Sequence, residues 1–220
     1  DSNKDTAMTT RNQFVWVPVA DTSKMFTTHD GKDVGRLYDF DKTSKTYTEI
    51  AWSDTGRREP DILTDGTYGD VDANLTAVTG VTTQAQFKTQ LETEFAEMKT
   101  SIEKYHGFYI GRYETGDVSG AKAVTVKGNS DIANQTWYKL YQINKEMINA
   151  NGINSSMIWG SQWDQTMIWF DTQGGAKKDY VYDSTGKGHY EATSTTATGS
   201  NTDYAVNNIY DMAGNVADWT

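Results

Sequence analysis

Four positions near the end of the chain, Asp211, Gly214, Val216 and Asp218, have the residue types and spacing to close around a metal ion. Calcium takes roughly six to eight oxygen ligands. Two side-chain carboxylates flanking two backbone carbonyls supply four of them from one short loop. The alternative is structural: Asp211 and Asp218 cap turns, and Trp219 fills the core. An earlier run, Asp70-Val71-Asp72-Ala73-Asn74, imitates the opening of an EF-hand loop. There, Leu75 stands where that loop needs Gly, and Val81 where it needs the closing Glu.

Other chemistries have thinner support. The three histidines, His29, His106 and His189, sit in unrelated polar contexts, with neither the i, i+4 spacing of a helical metal site nor a Gly-x-Ser-x-Gly elbow nearby. Gly31-Lys32 and Gly186-Lys187 lack the upstream glycine of a phosphate-cradling loop. Cysteine is absent, which excludes thiol nucleophiles, thiolate metal sites and disulfides from these residues. Glycoside hydrolysis needs only two carboxyl groups at the right separation, and Glu114 with Asp117, or Asp54, Glu59, Asp61 and Asp65, provide neighbours. With 30 acidic residues such neighbours arise by chance, so no catalytic residue is assigned and the chain is read as a non-enzyme.

A net charge of −10 repels phosphate backbones and argues against nucleic acid as a partner. No stretch reaches the roughly 18 apolar residues of a membrane span, so direct membrane insertion is not expected. Aromatic residues make up 12 %, with seven Trp and thirteen Tyr, which predicts a core built on rings. Abundant Thr, Asn, Gly and Asp fit an extracellular protein on a bacterial surface or a virion. Short aromatic runs in the polar 171–204 excursion, Tyr180 and Tyr182, then His189 and Tyr190, are candidate ligand-facing rings or small strands.

The elements that must position these groups read as one α+β domain over 13–220, after a polar lead at 1–12. Phe14 to Val19 is the first strand, ended by Pro18. Arg36 to Phe40 and Tyr47 to Trp52 form a hairpin, and 53–80 is a long loop. Thr83 and Gln86 make a capping box for a helix whose face carries Phe87, Leu91, Phe95, Met98 and Ile102 and which ends at Gly107. Phe108 to Glu114 alternates as a strand. A second amphipathic helix runs from about Gln135 to Asn149, burying Trp137, Leu140, Tyr141 and Met147. Met157 to Gly160 is a short strand, and Ser161 caps a third helix with Asp164 at its third position.

The segment YDMAGNVADWT at 210–220 resembles the "YDMAGNVWEWT" signature of the formylglycine-generating-enzyme and sulfatase-modifying-factor family, a branch of the C-type-lectin-like fold. FVWVPV at 14–19, GFYIGRYETG at 107–116, and QTWYKLYQI with MIWGSQWDQTMIW fall in that family's order, whereas 25–80 has no counterpart. The resemblance implies two to three helices, short antiparallel sheets and long loops. It also implies calcium held by Asp211, the Gly214 and Val216 carbonyls and Asp218, with Asp218 in place of the family's Glu and Ala217 in place of its Trp. Enzymatic members use a cysteine pair with copper, which these residues lack, so a truncated oxidase is the remotest reading. The leading expectation is a non-catalytic domain that binds a carbohydrate or protein ligand. The next is a structural subunit of a pilus, fibre or phage tail whose missing closing strand comes from neighbouring copies or another subunit.

Overall fold

The computed structural model describes residues 11–52, 59–60, 75–117, 123–132, 134–150, 152–185, 195–215 and 220. Strand β1 (Phe14–Pro18) pairs antiparallel with a second strand, Gly107–Gly111, in the register Phe14↔Gly111, Trp16↔Tyr109 and Pro18↔Gly107. Alternation then sorts the side chains. Val15, Val17 and Val19 join the core, whereas Phe14, Trp16 and Tyr109 are exposed at 37 %, 37 % and 68 %. Gly107 is required by space: a Cβ there would stand 2.3 Å from the Trp16 ring and 2.6 Å from the Val17 carbonyl oxygen.

Two hairpins follow β1. The first, β2 (Phe26–His29) and β3 (Lys32–Gly35), turns through Asp30 and Gly31, both at positive φ (48° and 77°), as a two-residue hairpin turn demands. The second, β4 (Tyr38–Asp41) and β5 (Thr46–Glu49), is the hairpin expected from the sequence. Its loop is tied by Asp41 Oδ1, which accepts from the Thr43 and Ser44 N–H groups at 2.9 and 2.5 Å.

Helix α1 (Gln84–Tyr105) is capped by Thr83, whose hydroxyl accepts from the Gln86 N–H at 3.2 Å. The return bond of the box lands one residue early, because Gln86 Oε1 accepts from the Thr82 N–H at 2.9 Å. Phe87, Leu91, Phe95 and Ile102 are buried along the predicted face. The helix ends one residue before Gly107: His106 adopts the left-handed conformation (φ 57°) and its N–H returns to the Ile102 carbonyl at 2.7 Å. Gly107 instead opens β6 (Gly107–Gly111).

Helix α2 (Trp137–Lys145) is shorter than the periodicity suggests. Its last turn is closed locally, as Ser155 Oγ donates to the Asn144 carbonyl at 2.6 Å and the Met147 N–H makes a tight return to the same carbonyl at 3.2 Å. Leu140, Tyr141 and Ile143 are buried, with Trp137 and Met147 only partly so. Helix α3 (Gly160–Gln173) starts after Trp159, not Ser161, and residues 157–159 join no ladder, so the short strand expected at 157–160 does not form. Ser161 lies buried in the first turn. Asp164 is buried as well, accepting the Tyr38 N–H at 2.7 Å. The remaining pairs are two residues long: β7 (Gly116–Asp117) with β8 (Ala123–Val124), β9 (Asn149–Ala150) with β10 (Ile153–Asn154), and β11 (Ala205–Val206) with β12 (Ile209–Tyr210).

The fold is thus mixed α+β, with helices against short antiparallel ribbons. The principal core joins β1, β6, α1 and α3 through Val17, Phe95, Ile102, Phe108 and Phe170, and Phe95 meets Phe26 and Trp159 edge-on at 5.8 and 5.4 Å. A second cluster, Leu75, Val78, Phe87, Leu91 and Tyr141, sits between the first half of α1 and α2. The core is less ring-built than the composition suggests: Phe and Tyr are set among a majority of Val, Leu, Ile and Met, and the described Trp side chains pack at its margin without being buried. Among the described residues no helix is long and apolar enough to cross a membrane.

Candidate functional site

Where the two clusters meet, α1, α2 and the start of α3 enclose a cleft of about 230 Å³, lined by Leu37, Glu59, Leu91, Glu94, Trp137, Tyr141, Ser156 and Trp159 among others. Glu59 is its most unusual group. The Glu59 carbonyl accepts the Gly35 N–H at 3.1 Å, which fixes this residue beside β3. Its side chain, 5 % exposed, reaches the first turn of α3, taking the Ser161 N–H at 2.9 Å and the Ser161 hydroxyl at 2.5 Å. Two glycines make room for it: a Cβ on Gly35 would lie 2.5 Å from Oε1 and one on Gly160 3.0 Å from Oε2. Burial pushes the Glu59 carboxyl up to about 7 against the Ser161 hydrogen bonds, and the charge of Asp164 adds to the rise. It therefore keeps its proton close to neutral pH.

The opposite wall is a hydrogen-bonded relay. Glu94, on α1, accepts from the Tyr141 hydroxyl at 2.7 Å and from Lys145 Nζ at 2.5 Å, while Gln90 Nε2 donates to the Tyr141 oxygen at 2.6 Å. Burial and the bond to Glu94 push the Tyr141 phenol upward, so it serves as a fixed O–H donor. Trp137 stacks on Tyr141 with centroids 5.4 Å apart and planes 11° apart, and its Nε1–H donates to the Thr220 carbonyl at 3.2 Å. The cleft combines ring faces, a protonatable carboxyl and a carboxylate, which together suit ligand recognition.

Asp211 and Gly214, the described members of the expected calcium set, do not line this cleft. Asp211 is 4 % exposed in the left-handed region (φ 60°), and its Oδ2 accepts the Gly199 N–H at 2.7 Å. Burial pushes its carboxyl above the usual carboxylate range. Gly214 and Asn215 continue the turn at φ 87° and 64°, and Asn215 fastens it by accepting the Thr196 N–H at 2.8 Å and donating to Glu114. Of the two acidic side chains expected to hold calcium only Asp211 is described, and among the described residues no three His, Asp or Glu side chains form a group that could hold a metal ion. Val216 and Asp218 lie outside the described residues, as do His189 and Tyr190, Asp54, Asp61 and Asp65.

Tyr182, expected to be open to solvent, is buried. It is 6 % exposed, packed on Phe40 at 6.2 Å, with the Lys45 ammonium 5.7 Å from its ring centre. Tyr180 is half-buried and donates to the Asp203 carbonyl at 2.8 Å. Both belong to or adjoin the short 3-10 helix Gly175–Val181, where no strand forms, so their rings brace this segment. His29 stacks on Trp52 at 4.7 Å, away from the cleft lining. Glu59 was visible in the sequence only as one acid among several in a loop, and its partner Ser161 is 102 positions away. Exposed rings lie instead on the outer face of the β1–β6 ribbon, where Trp16 meets Tyr109 edge-on at 4.9 Å, and at the end of α1, where Tyr105 stands in solvent.

No family model matches this chain, and neither the curated proteins nor the solved structures contain a significant match to it.

Proposed function

We propose that this chain is a non-catalytic domain of C-type-lectin-like architecture that binds a carbohydrate or protein ligand in the cleft between α1, α2 and α3. On this reading it works outside the cell, on a bacterial surface or a virion. The observation that carries the proposal is the cleft itself: stacked Trp137 and Tyr141, the Trp159 ring and two carboxyl groups line one half-open space. Three aromatic walls with a few fixed polar groups are the usual make-up of a recognition pocket. The turn at Asp211 and Gly214 holds calcium in the same proposal, with Val216 and Asp218 completing the ligand set.

Saturation-transfer NMR against a panel of oligosaccharides, amino-acid amides and short peptides tests the reading. Ser156 is exposed at the mouth, so Ser156→Trp plugs the cleft without disturbing the core. Binding that disappears in this variant supports the proposal. Binding that persists undiminished in it, or no binding by any member of the panel, overturns it.

A second reading, a subunit of a fibre, pilus or tail, draws on the exposed row Phe14, Trp16 and Tyr109, because contiguous exposed rings mark contact surfaces. Light scattering over a hundredfold concentration range decides it. Association that Trp16→Ser abolishes favours assembly, and a monomer throughout removes it.

A further inference from the structure

The cleft is unbalanced in its hydrogen-bonding chemistry. Its described lining carries two carboxyl groups, Glu59 and Glu94, and no Lys, Arg or His. Several donors at the wall are turned to the protein's own acceptors: the Tyr141 hydroxyl to Glu94, the Trp137 Nε1–H to the Thr220 carbonyl and, behind the lining, the Ser161 N–H and hydroxyl to Glu59, while the Ser156 hydroxyl stays open at the mouth. Lys145 reaches Glu94 without itself lining the cleft and balances its charge, which leaves Glu59, protonated until close to neutral pH, as the group whose ionised form a bound cation would favour. What the described walls offer an incoming group is therefore mainly the lone pairs that Glu59 and Glu94 have left over from their internal bonds and the rings of Trp137 and Trp159.

A ligand that fits these walls brings its own donors and a positive charge. Ring faces attract cations through their quadrupole, and they do so most strongly where water is excluded. The chain's net charge of −10 raises the local concentration of cations around it. Size narrows the choice. A cleft of about 230 Å³ is below the roughly 300–1,000 Å³ of pockets that enclose a drug-sized molecule. It accommodates one side chain or the tip of a small molecule. Leu37, Leu91 and Met157 add apolar wall suited to a methylene stem, whereas a bare divalent ion demands oxygen on nearly every side.

We infer that the cleft binds an organic cation, a primary ammonium or guanidinium group on a short aliphatic stem, as the Lys or Arg side chain of a protein ligand presents it. The inference rests on the ligand-binding reading of the same cleft and adds the chemical class.

The test is a set of NMR titrations of the full chain at low ionic strength. The cationic probes are N-acetyl-lysine methylamide, N-acetyl-arginine methylamide and butylammonium. The neutral ones are the Nε-acetylated lysine derivative and butanol. The cationic probes are expected to bind about tenfold more tightly than their neutral counterparts, the scale of a partly desolvated cation–π contact. Ser156→Arg, at an exposed mouth position, is expected to abolish that binding, and Glu94→Gln to weaken it several-fold, with melting curves confirming that both variants fold. A lysine derivative that binds more tightly than butylammonium assigns the cation to a protein ligand, and the reverse order assigns it to a free amine. Neutral probes that bind as well as cationic ones, and are displaced by Ser156→Arg, overturn the charge inference while leaving the cleft a ligand site. Failure of every probe overturns the inference, and the larger panel then decides the broader reading separately.

Discussion

Glu59→Gln is expected to stabilise the protein at pH 8 and to leave it nearly unchanged at pH 4. Folding moves this carboxyl from an ordinary value of 4.5 to about 7, because burial disfavours the charged form more than the two Ser161 donors favour it. The folded state therefore holds the proton more tightly than the unfolded chain. Below pH 4.5 both states are protonated and nothing is lost. Between 4.5 and 7 the unfolded chain releases its proton first, so stability falls as pH rises, by up to about 1.4 kcal/mol per pH unit. Above 7 both states are ionised and the loss levels off at about 3 kcal/mol.

A carboxamide does not titrate. It retains both contacts, since its oxygen accepts the Ser161 N–H and its NH₂ donates to the Ser161 hydroxyl once that hydroxyl rotates. Urea unfolding of both proteins at pH 4, 6 and 8 measures the difference, which should grow by about 3 kcal/mol across the series. In melting temperature this corresponds to roughly 6–12 °C at pH 8. A difference that does not change with pH, or a variant less stable at pH 8 than the wild type, refutes the placement of a buried protonated carboxyl against α3.

Gly107→Ala places a methyl group against the Trp16 ring and the Val17 carbonyl, and should lower stability by about 1–3 kcal/mol in urea titrations while changing the near-ultraviolet signal of Trp16. His106→Gly relieves the left-handed cap of α1 at an exposed position, so a gain of up to about 1 kcal/mol is expected in the same assay, reduced by the extra freedom of the unfolded chain. If Asp211 is a calcium ligand, calcium at a hundred times its dissociation constant adds about 2.7 kcal/mol, or roughly 5–10 °C in a melting scan. An identical melting temperature with chelator and with millimolar calcium removes the metal from the account.

What the sequence made legible is what short-range chemistry decides. The cap and stripe of α1, the alternation of β1 and β6 and the β4–β5 hairpin all draw their signals from residues within a few positions of one another. The Asp30-Gly31 turn carries an equally local hairpin signal, although the strands around it are too polar to stand out by alternation. Helix α3 shows where local rules fail. Ser161 looks like the N-cap because Ser is a favoured cap, yet the backbone N–H of Ser161 is satisfied by Glu59 from 102 positions away, which lets the helix begin after Trp159. Tyr182 is misread for the same reason: a Tyr in a polar stretch looks exposed until Phe40 and Lys45 arrive from the β4–β5 hairpin to cover it. The cleft has no sequence signature, since Glu59, Glu94, Trp137 and Trp159 come from four separate segments. Of the terminal motif, the sequence conveys the sharp turn at Gly214 and Asn215 but not the bond from Asp211 back to Gly199.

The claim that the cleft is a binding site is tested most directly by following the tryptophan indole N–H signals while the ligand panel is added. Trp137 and Trp159 line the cleft, and Trp16 stands on the outer ribbon as an internal control. Saturable shifts of the Trp137 and Trp159 signals, with Trp16 unmoved and the response absent in Ser156→Trp, are the predicted result. Shifts confined to Trp16, or a response at Trp137 and Trp159 that survives the plug, contradict it.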